Sequence, residues 1–273
     1  MFNGRWTRRE LREHLMALGL APGDSVMVHA SIRRVGPMLN GPDAMIGALL
    51  DAISPGGTLL AYTDWDALYE DALPPDGRVP QELRADIPPF DPTASRACRA
   101  HGVIAEFIRT TPGALRSGNP GASVAAVGAR AQWFVENHPL DYGYGNDSPF
   151  GKLVAAAGKV LMAGAPYDTM SILHHAEQLA KIPGKRIRRV ETPLLIDGVV
   201  QWHMIEEFDT ANPVVDGLPD DYFRLVVEGY MASGAPHRRG TIGNADSLLV
   251  PAGEVVEFTV QWLESWASSR RPP

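Results

Sequence analysis

The stretch KVLMAGAPYDTMSILHHAEQLAKIPGKR, residues Lys159 to Arg186, decides how the rest of the chain is read. Val160, Leu161, Met162 and Ala163 make a short apolar run of the kind a strand buried on both faces requires, and Gly164-Ala165-Pro166 breaks it. Asp168 or Thr169 is placed to cap a following helix. Its apolar stripe is Ile172, Leu173, Ala176, Leu179 and Ala180, while His174, Glu177, Gln178 and Lys181 fall at i, i+3, i+4 and i+7 on the opposite side. One helix face therefore presents an imidazole and a carboxylate as neighbours. Glu177 can hold one ring nitrogen of His174 and leave the other basic, as a general base requires. Neighbouring helical residues point about 100° apart, so His175 does not join that pair, and no metal is expected there. Pro183-Gly184 is the expected helix end.

Strands and helices alternate outward from this stretch. Thr7-Arg8-Arg9-Glu10 has capping-box spacing ahead of Leu11, Leu15 and Leu18, and Gly19 stops that helix. Ser25 to His29 reads as a strand opening into Ala30-Ser31-Ile32-Arg33-Arg34-Val35-Gly36. Small and basic residues just past a strand's carboxyl end can meet phosphates. A helix follows from Gly41, carrying Met45, Ile46, Leu49, Leu50 and Ile53, and then a strand at Thr58 to Tyr62. Further on, Val103 to Arg109 and Ala129 to Asn137 read as helices, and Ser123 to Val127 as a strand. Ser148-Pro149 caps another helix. Asp197-Gly198 between Leu194-Leu195-Ile196 and Val199-Val200-Gln201-Trp202 is a two-residue hairpin turn. Asp220 to Ser233 and Gly253 to Trp266 are the last helices. The pattern predicts an α/β fold in three layers, α/β/α around a central mixed sheet, as one domain over residues 1–273.

Composition narrows the function. The 273 residues are 45% hydrophobic and 21% charged, with 25 Lys+Arg against 32 Asp+Glu and a net charge of -7, which argues against a nucleic-acid partner and suits a cationic one. Nothing apolar reaches the roughly 18 residues a spanning helix needs, and the amphipathic N-terminus does not read as a signal sequence. The expectation is a cytoplasmic protein without a membrane partner, monomer or homodimer. The one cysteine, Cys98, excludes an intrachain disulfide and a cysteine cluster for zinc.

Residues 63–93 form a long, proline-rich stretch holding Asp64, Asp66, Glu70, Asp71, Asp76, Glu82, Asp86 and Asp91, with Trp65 and Tyr69 among them. Such a loop in a compact domain is a lid or a binding loop. Carboxylates and flat faces together suit a polyamine or amino-sugar. The chain has no Gly-x-Ser-x-Gly elbow and no phosphate-binding Gly-x-x-x-x-Gly-Lys loop, and Gly143-Tyr144-Gly145 lacks the third glycine of a dinucleotide fingerprint.

VMVHASIRRVGP (26–37), ISPGGTLLAYTDWD (53–66), PPFDPTAS (88–95), LRSGNPGASVAAVG (115–128), GKVLMAGAP (158–166), ILHHAEQLAKIPGKR (172–186) and EEFDTAN (206–212) together resemble the aminoglycoside 3-N-acetyltransferase family, in order over nearly the whole chain. The resemblance implies acetyl transfer from acetyl-CoA to an amine of an aminoglycoside, antibiotic resistance, no metal, and a fold distinct from the commoner acetyltransferase superfamily. It implies that His29, Ala30, Ser31, Arg33, Val35 and Gly36 touch CoA, with Ser117 and Gly118 nearby. His174 matches the catalytic histidine of a Leu-His-x-Ala-Glu signature. Glu177 or Asp209 then orients it, Asp209 matching the family's acid beside the amino-sugar. Asp64, Asp66, Tyr69, Glu70, Asn119 and Glu206 are the expected acceptor-binding residues. Where the family pattern reads Arg-Ser-x-His-Pro, this chain has Arg116-Ser117-Gly118-Asn119-Pro120, and EEFDTANP departs from the usual pattern around Asp209. Both departures predict altered acceptor choice, with a kasugamycin-type 2'-N-acetyltransferase as the leading variant. A non-catalytic amino-sugar binding or sequestering protein is the alternative.

Overall fold

The computed structural model describes residues 1–269. Its elements run α1 (Arg8–Leu18), β1 (Ser25–Ala30), α2 (Ile32–Val35), α3 (Gly41–Ile53), β2 (Thr58–Tyr62), α4 (Val103–Arg109), β3 (Leu115–Arg116), β4 (Val124–Gly128), α5 (Ala131–Val135), α6 (Pro149–Ala155), β5 (Lys159–Ala163), α7 (Ile172–Leu179), β6 (Ile187–Ile196), β7 (Val199–Phe208), α8 (Tyr222–Ala232), β8 (Arg238–Ile242), β9 (Ala245–Pro251) and α9 (Ala252–Ser269). Seven strands form a mixed sheet in the order β3-β4-β2-β1-β5-β9-β8. β1 lies parallel to β2 and β5, and the outer strands are antiparallel.

Strand alternation divides the core into two layers, as the period of two demands. Val26, Val28, Leu59, Ala61, Leu161 and Ala163 pack on one face with Leu11 and Leu15 of α1, Leu49 of α3 and Ile108 of α4. Met27, Leu60, Val160 and Met162 pack on the other with Leu153 of α6, Leu173 of α7, Val226 of α8 and Val255 of α9. The three layers are those the sequence predicts. The last pair, β8 and β9, and the two-residue β3 carry no clear alternation in the sequence and come in addition to the expected strands.

The central stretch differs in detail. Asp168 and Thr169 sit in a 3-10 turn, Tyr167–Thr169, and neither caps α7. Ser171 holds the cap position without a side-chain bond, and Asp168 instead accepts from the backbone N–H of Arg224. Helix α7 stops at Leu179, with Ala180 already extended, ahead of Pro183-Gly184. Leu179 is exposed, while His175 and Glu177 are buried, so the apolar face is rotated toward the carboxylate.

β6 and β7 form a separate two-stranded hairpin whose turn residues, Asp197 and Gly198, have φ of 51° and 77°. The acidic 63–93 segment carries two short 3-10 turns and is laced to this hairpin. Phe90 N–H donates to the Pro193 carbonyl at 2.7 Å, Leu195 N–H donates back to Phe90 at 2.9 Å, and Glu191 N–H donates to Gly77 at 2.8 Å. The Glu191 carboxylate in turn accepts from Val79 N–H at 2.9 Å and from the Arg84 guanidinium at 2.7 Å.

Candidate active site

The carboxyl ends of β1, β2 and β5 deliver His29, Tyr62 and Ala163 to one edge of the sheet, the place where open α/β sheets bind ligands. Helix α7 starts there. His174 and Glu177 lie one turn apart, and His174 Nδ1 donates to Glu177 Oε2 at 2.6 Å. The other carboxylate oxygen accepts from the Tyr222 hydroxyl of α8. Tyr222 and Glu177 are buried, and both that burial and the Glu177 charge push the Tyr222 phenol up, keeping it a neutral donor. Tyr144 and Phe223 rings flank the imidazole at 5.0 and 4.9 Å. With Nδ1 held, Nε2 is the nitrogen left for chemistry. His175 points elsewhere: its ring donates to the Tyr144 carbonyl at 2.6 Å.

His174 stands on the wall of a cavity of about 520 Å³. The 64–71 segment, the Cys98 to His101 turn, the Asn119-Pro120-Gly121 turn and the β7 strand make the other walls. Asp64, Asp66, Glu70, Asp71, Glu207 and Asp209 all line it, so a polycation entering would meet carboxylates from several sides. Burial pushes Glu70 up to about 7, against the opposing pull of Arg188, and burial likewise pushes Glu207 up to about 7. Tyr62 and Tyr144 share a hydroxyl–hydroxyl bond of 2.8 Å on the cavity wall, and burial holds both phenols neutral.

Several expected residues land elsewhere. Tyr69 is turned into the segment's own packing, donating to the Glu191 carbonyl at 3.3 Å, and does not line the cavity. Glu206 is one position off: strand alternation sends it outward, where it accepts from the Tyr142 hydroxyl and from Arg189 Nε at 2.6 Å, while Glu207 faces inward. Asp209 lines the cavity but accepts from Asn212 Nδ2 at 3.0 Å and lies 3.8 Å from Arg186 Nε; Glu177, not Asp209, holds the imidazole. The Asn119 amide donates to the Pro139 and Leu140 carbonyls at 2.7 and 2.9 Å, and its oxygen accepts from Ala122 N–H at 2.9 Å. Its polar atoms hold loops together rather than reach into the cavity. Tyr222, Glu207, His101 and Arg188 were missed. Strand alternation says that only one of Glu206 and Glu207 faces inward without deciding which, and the others come from distant segments.

The segment expected to touch CoA forms the last residues of β1 and the one-turn α2. His29 is half-buried and its Nε2 lies 3.3 Å from the Ser171 hydroxyl, three residues before His174, which ties the segment to the base; desolvation of its ring drives the His29 imidazole down to about 3, so it stays neutral. Ala30 and Ser31 are half-buried. Arg33 is exposed and has no ion pair among the described residues, leaving a fork donor for phosphate. The Val35 side chain is in the core, so only its backbone can face a ligand. Gly36 has φ of 96°, and a Cβ there would come within 2.5 Å of the Asn244 side-chain amide. Ser117, expected near CoA, is instead an internal tie: its hydroxyl is fully buried, accepting from Val124 N–H at 3.0 Å and bonded to the His138 ring at 2.9 Å. Gly118 is exposed beside it.

Residues 27–264 match the family described as aminoglycoside 3-N-acetyltransferase. The chain is 45% identical over 262 residues to aminoglycoside N(3)-acetyltransferase III of Pseudomonas aeruginosa, covering 95% of this chain and 94% of the relative. It is 39% identical to aminoglycoside N(3)-acetyltransferase VII of Streptomyces paromomycinus, covering 99% and 96%. Among solved structures it resembles AAC-IIIb in binary complex with CoASH, at a TM-score of 0.95 and 57% identity over 98% of this chain and 99% of that one. It also resembles AAC-VIa bound to sisomicin, at 0.91 and 38%, covering 97% and 99%.

Proposed function

Because this chain belongs to the aminoglycoside 3-N-acetyltransferase family, we propose that it transfers the acetyl group of acetyl-CoA to the 3-amine of an aminoglycoside and so confers resistance to the drug. The observation that carries this reading is the His174–Glu177 pair standing at the wall of a carboxylate-lined cavity. The CoASH-bound and sisomicin-bound relatives support the two substrates. The 3-amine is favoured over the 2'-amine of a kasugamycin-type drug, because the relatives are N(3)-acetyltransferases and because the departing residue, Asn119, has its amide engaged by backbone.

The acceptor ammonium loses one proton to solvent to give the free amine, and His174 Nε2 takes the second as that amine attacks the thioester carbonyl. The C–N bond forms, the C–S bond breaks, and His174 returns the proton to the departing CoA thiolate. Glu177 holds the Nδ1 proton throughout and stabilises the imidazolium that forms transiently. Tyr222 keeps the Glu177 carboxylate in place. Asp64, Asp66, Glu70 and Glu207 bind the drug's other ammonium groups, with the 63–93 segment as binding wall. Arg33 and the backbone of Ser31 to Gly36 hold CoA. His174→Ala is expected to lower kcat by roughly 100-fold or more, the scale of a lost general base. The measurement is CoA release with acetyl-CoA and gentamicin, with mass spectrometry and NMR of the product. Near-normal turnover in that variant overturns the base assignment, and drug binding without CoA release in the unaltered protein favours a sequestering protein.

A further inference from the structure

Cys98, Arg99, Ala100 and His101 form a 3-10 turn that brings the thiol and imidazole to one side. The turn is pinned beside Asp64: Cys98 N–H donates to the Thr63 carbonyl at 2.8 Å, and the His101 ring packs on Tyr62 at 4.4 Å. Asp64 is itself fixed, its carbonyl accepting from Arg116 and from the Ser123 hydroxyl, and its Oδ1 accepting from Trp65 N–H at 2.7 Å. Its Oδ2 is paired with His101 Nε2 at 3.4 Å. That separation is about the edge of a tetrahedron built from bonds of roughly 2.0–2.1 Å, the lengths zinc makes to imidazole and carboxylate. The Sγ of Cys98 and the ligand atoms of the other two lie within 4.8 Å of one another. Burial and the nearby Asp64 and Asp66 push the Cys98 thiol up, partly offset by the backbone amides of Ala100 and His101, so it is a bound cation itself that would draw the proton off the sulfur. All three residues line the cavity, so a fourth position would open into it. The neighbouring cation, Arg99, is drawn off by Asp66 at 2.9 Å.

We propose that Asp64, Cys98 and His101 form a site for a soft divalent cation such as zinc on the cavity wall, and that this cation and a polycationic drug exclude one another. The exclusion half rests on the function proposed above; the binding half does not. On binding, the Cys98 thiol gives its proton to solvent as the sulfur–metal bond forms, Asp64 Oδ2 and His101 Nε2 supply the second and third bonds, and water completes the set. The acetyl transfer proposed above routes no step through such an ion. The site therefore acts as an inhibitory one, converting part of the drug's anionic cavity into a cationic point.

The test uses the full chain without an affinity tag. Titration with Co²⁺ is expected to give a thiolate-to-cobalt charge-transfer band and the visible bands of a tetrahedral ion, which Zn²⁺ abolishes. Cys98→Ser should remove the charge-transfer band and weaken zinc binding by roughly 10- to 100-fold or more, with His101→Ala weakened similarly. In the kinetic arm Zn²⁺ should raise KM for gentamicin and leave that for acetyl-CoA unchanged, read by mass spectrometry of the acetylated drug because zinc also binds the CoA thiol. Absence of the thiolate band in the unaltered chain, or equal zinc affinity in Cys98→Ser, overturns the site. A Cys98-dependent band with gentamicin KM unchanged by zinc overturns the exclusion. The cobalt arm reads the site even in a chain that acetylates nothing, so the two proposals fail separately.

Discussion

Three side chains in a row, Tyr222, Glu177 and His174, carry the local chemistry, linked by two hydrogen bonds that both end on Glu177. Removing the Tyr222 hydroxyl leaves a buried carboxylate oxygen unpaired, which costs about 1–3 kcal/mol of stability. Tyr222→Phe should also loosen the imidazole and lower kcat by roughly tenfold while both KM values stay within about twofold, the pattern of an interaction that matters at the reacting atoms. Steady-state kinetics beside a thermal melt separates the roles: a lower melting temperature with kcat intact makes Tyr222 merely structural. Glu207 has a different signature. Half-buried and with their carboxyls pushed up to about 7, Glu207 and Glu70 take up protons as pH falls into the neutral range, and an ammonium group favours their ionised forms. The drug's KM should therefore rise as pH falls through about 7, and Glu207→Gln should raise KM at about pH 8 by roughly tenfold and flatten its pH dependence. For the free protein the sign is opposite. A carboxyl whose folded pKa is raised from 4.5 to about 7 adds stability below 4.5 that is lost as pH rises through 7.

At the scale of elements, the cavity depends on how the 63–93 segment is stitched to the β6–β7 hairpin. Gly77 is the tightest stitch: its φ is +69°, and a Cβ there would run into the carbonyl of Arg189, which is backbone and has no room to give. Gly77→Ala should cost roughly 1–3 kcal/mol and splay the acidic wall. Drug KM should rise and acetyl-CoA KM should not, because the α2 segment lies at a different part of the site. Thermal melting with kinetics on both substrates checks this, and equal changes in both KM values would show that the stitch serves the whole fold.

For the whole molecule the relevant quantity is the field. A net charge of -7 and six carboxylates around one cavity attract a polycation over distances that salt screens beyond about 10 Å at 0.1 M. Raising ionic strength from about 0.05 to 0.5 M should lower kcat/KM for gentamicin by roughly tenfold with kcat unchanged. A stopped-flow or steady-state salt series reads it, and a kcat/KM indifferent to salt would mean that shape alone recruits the drug.

Local periodicity in the sequence determined the strand–helix alternation, the capping box at Thr7, the Asp197-Gly198 hairpin turn, and the His174–Glu177 pair one helical turn apart, because each is settled within a few residues by backbone geometry. The motif resemblance added the family. Other features needed the folded chain. Which of Glu206 and Glu207 faces inward is a matter of strand register, and register is set by what the hairpin packs against. That Tyr222 completes the Glu177 bond, that Asp64 meets Cys98 and His101, and that Asn119 and Ser117 are internal ties are contacts between segments far apart in the chain. Such contacts follow from how layers dock and bury their polar groups, a sum over the whole molecule that no window of residues contains.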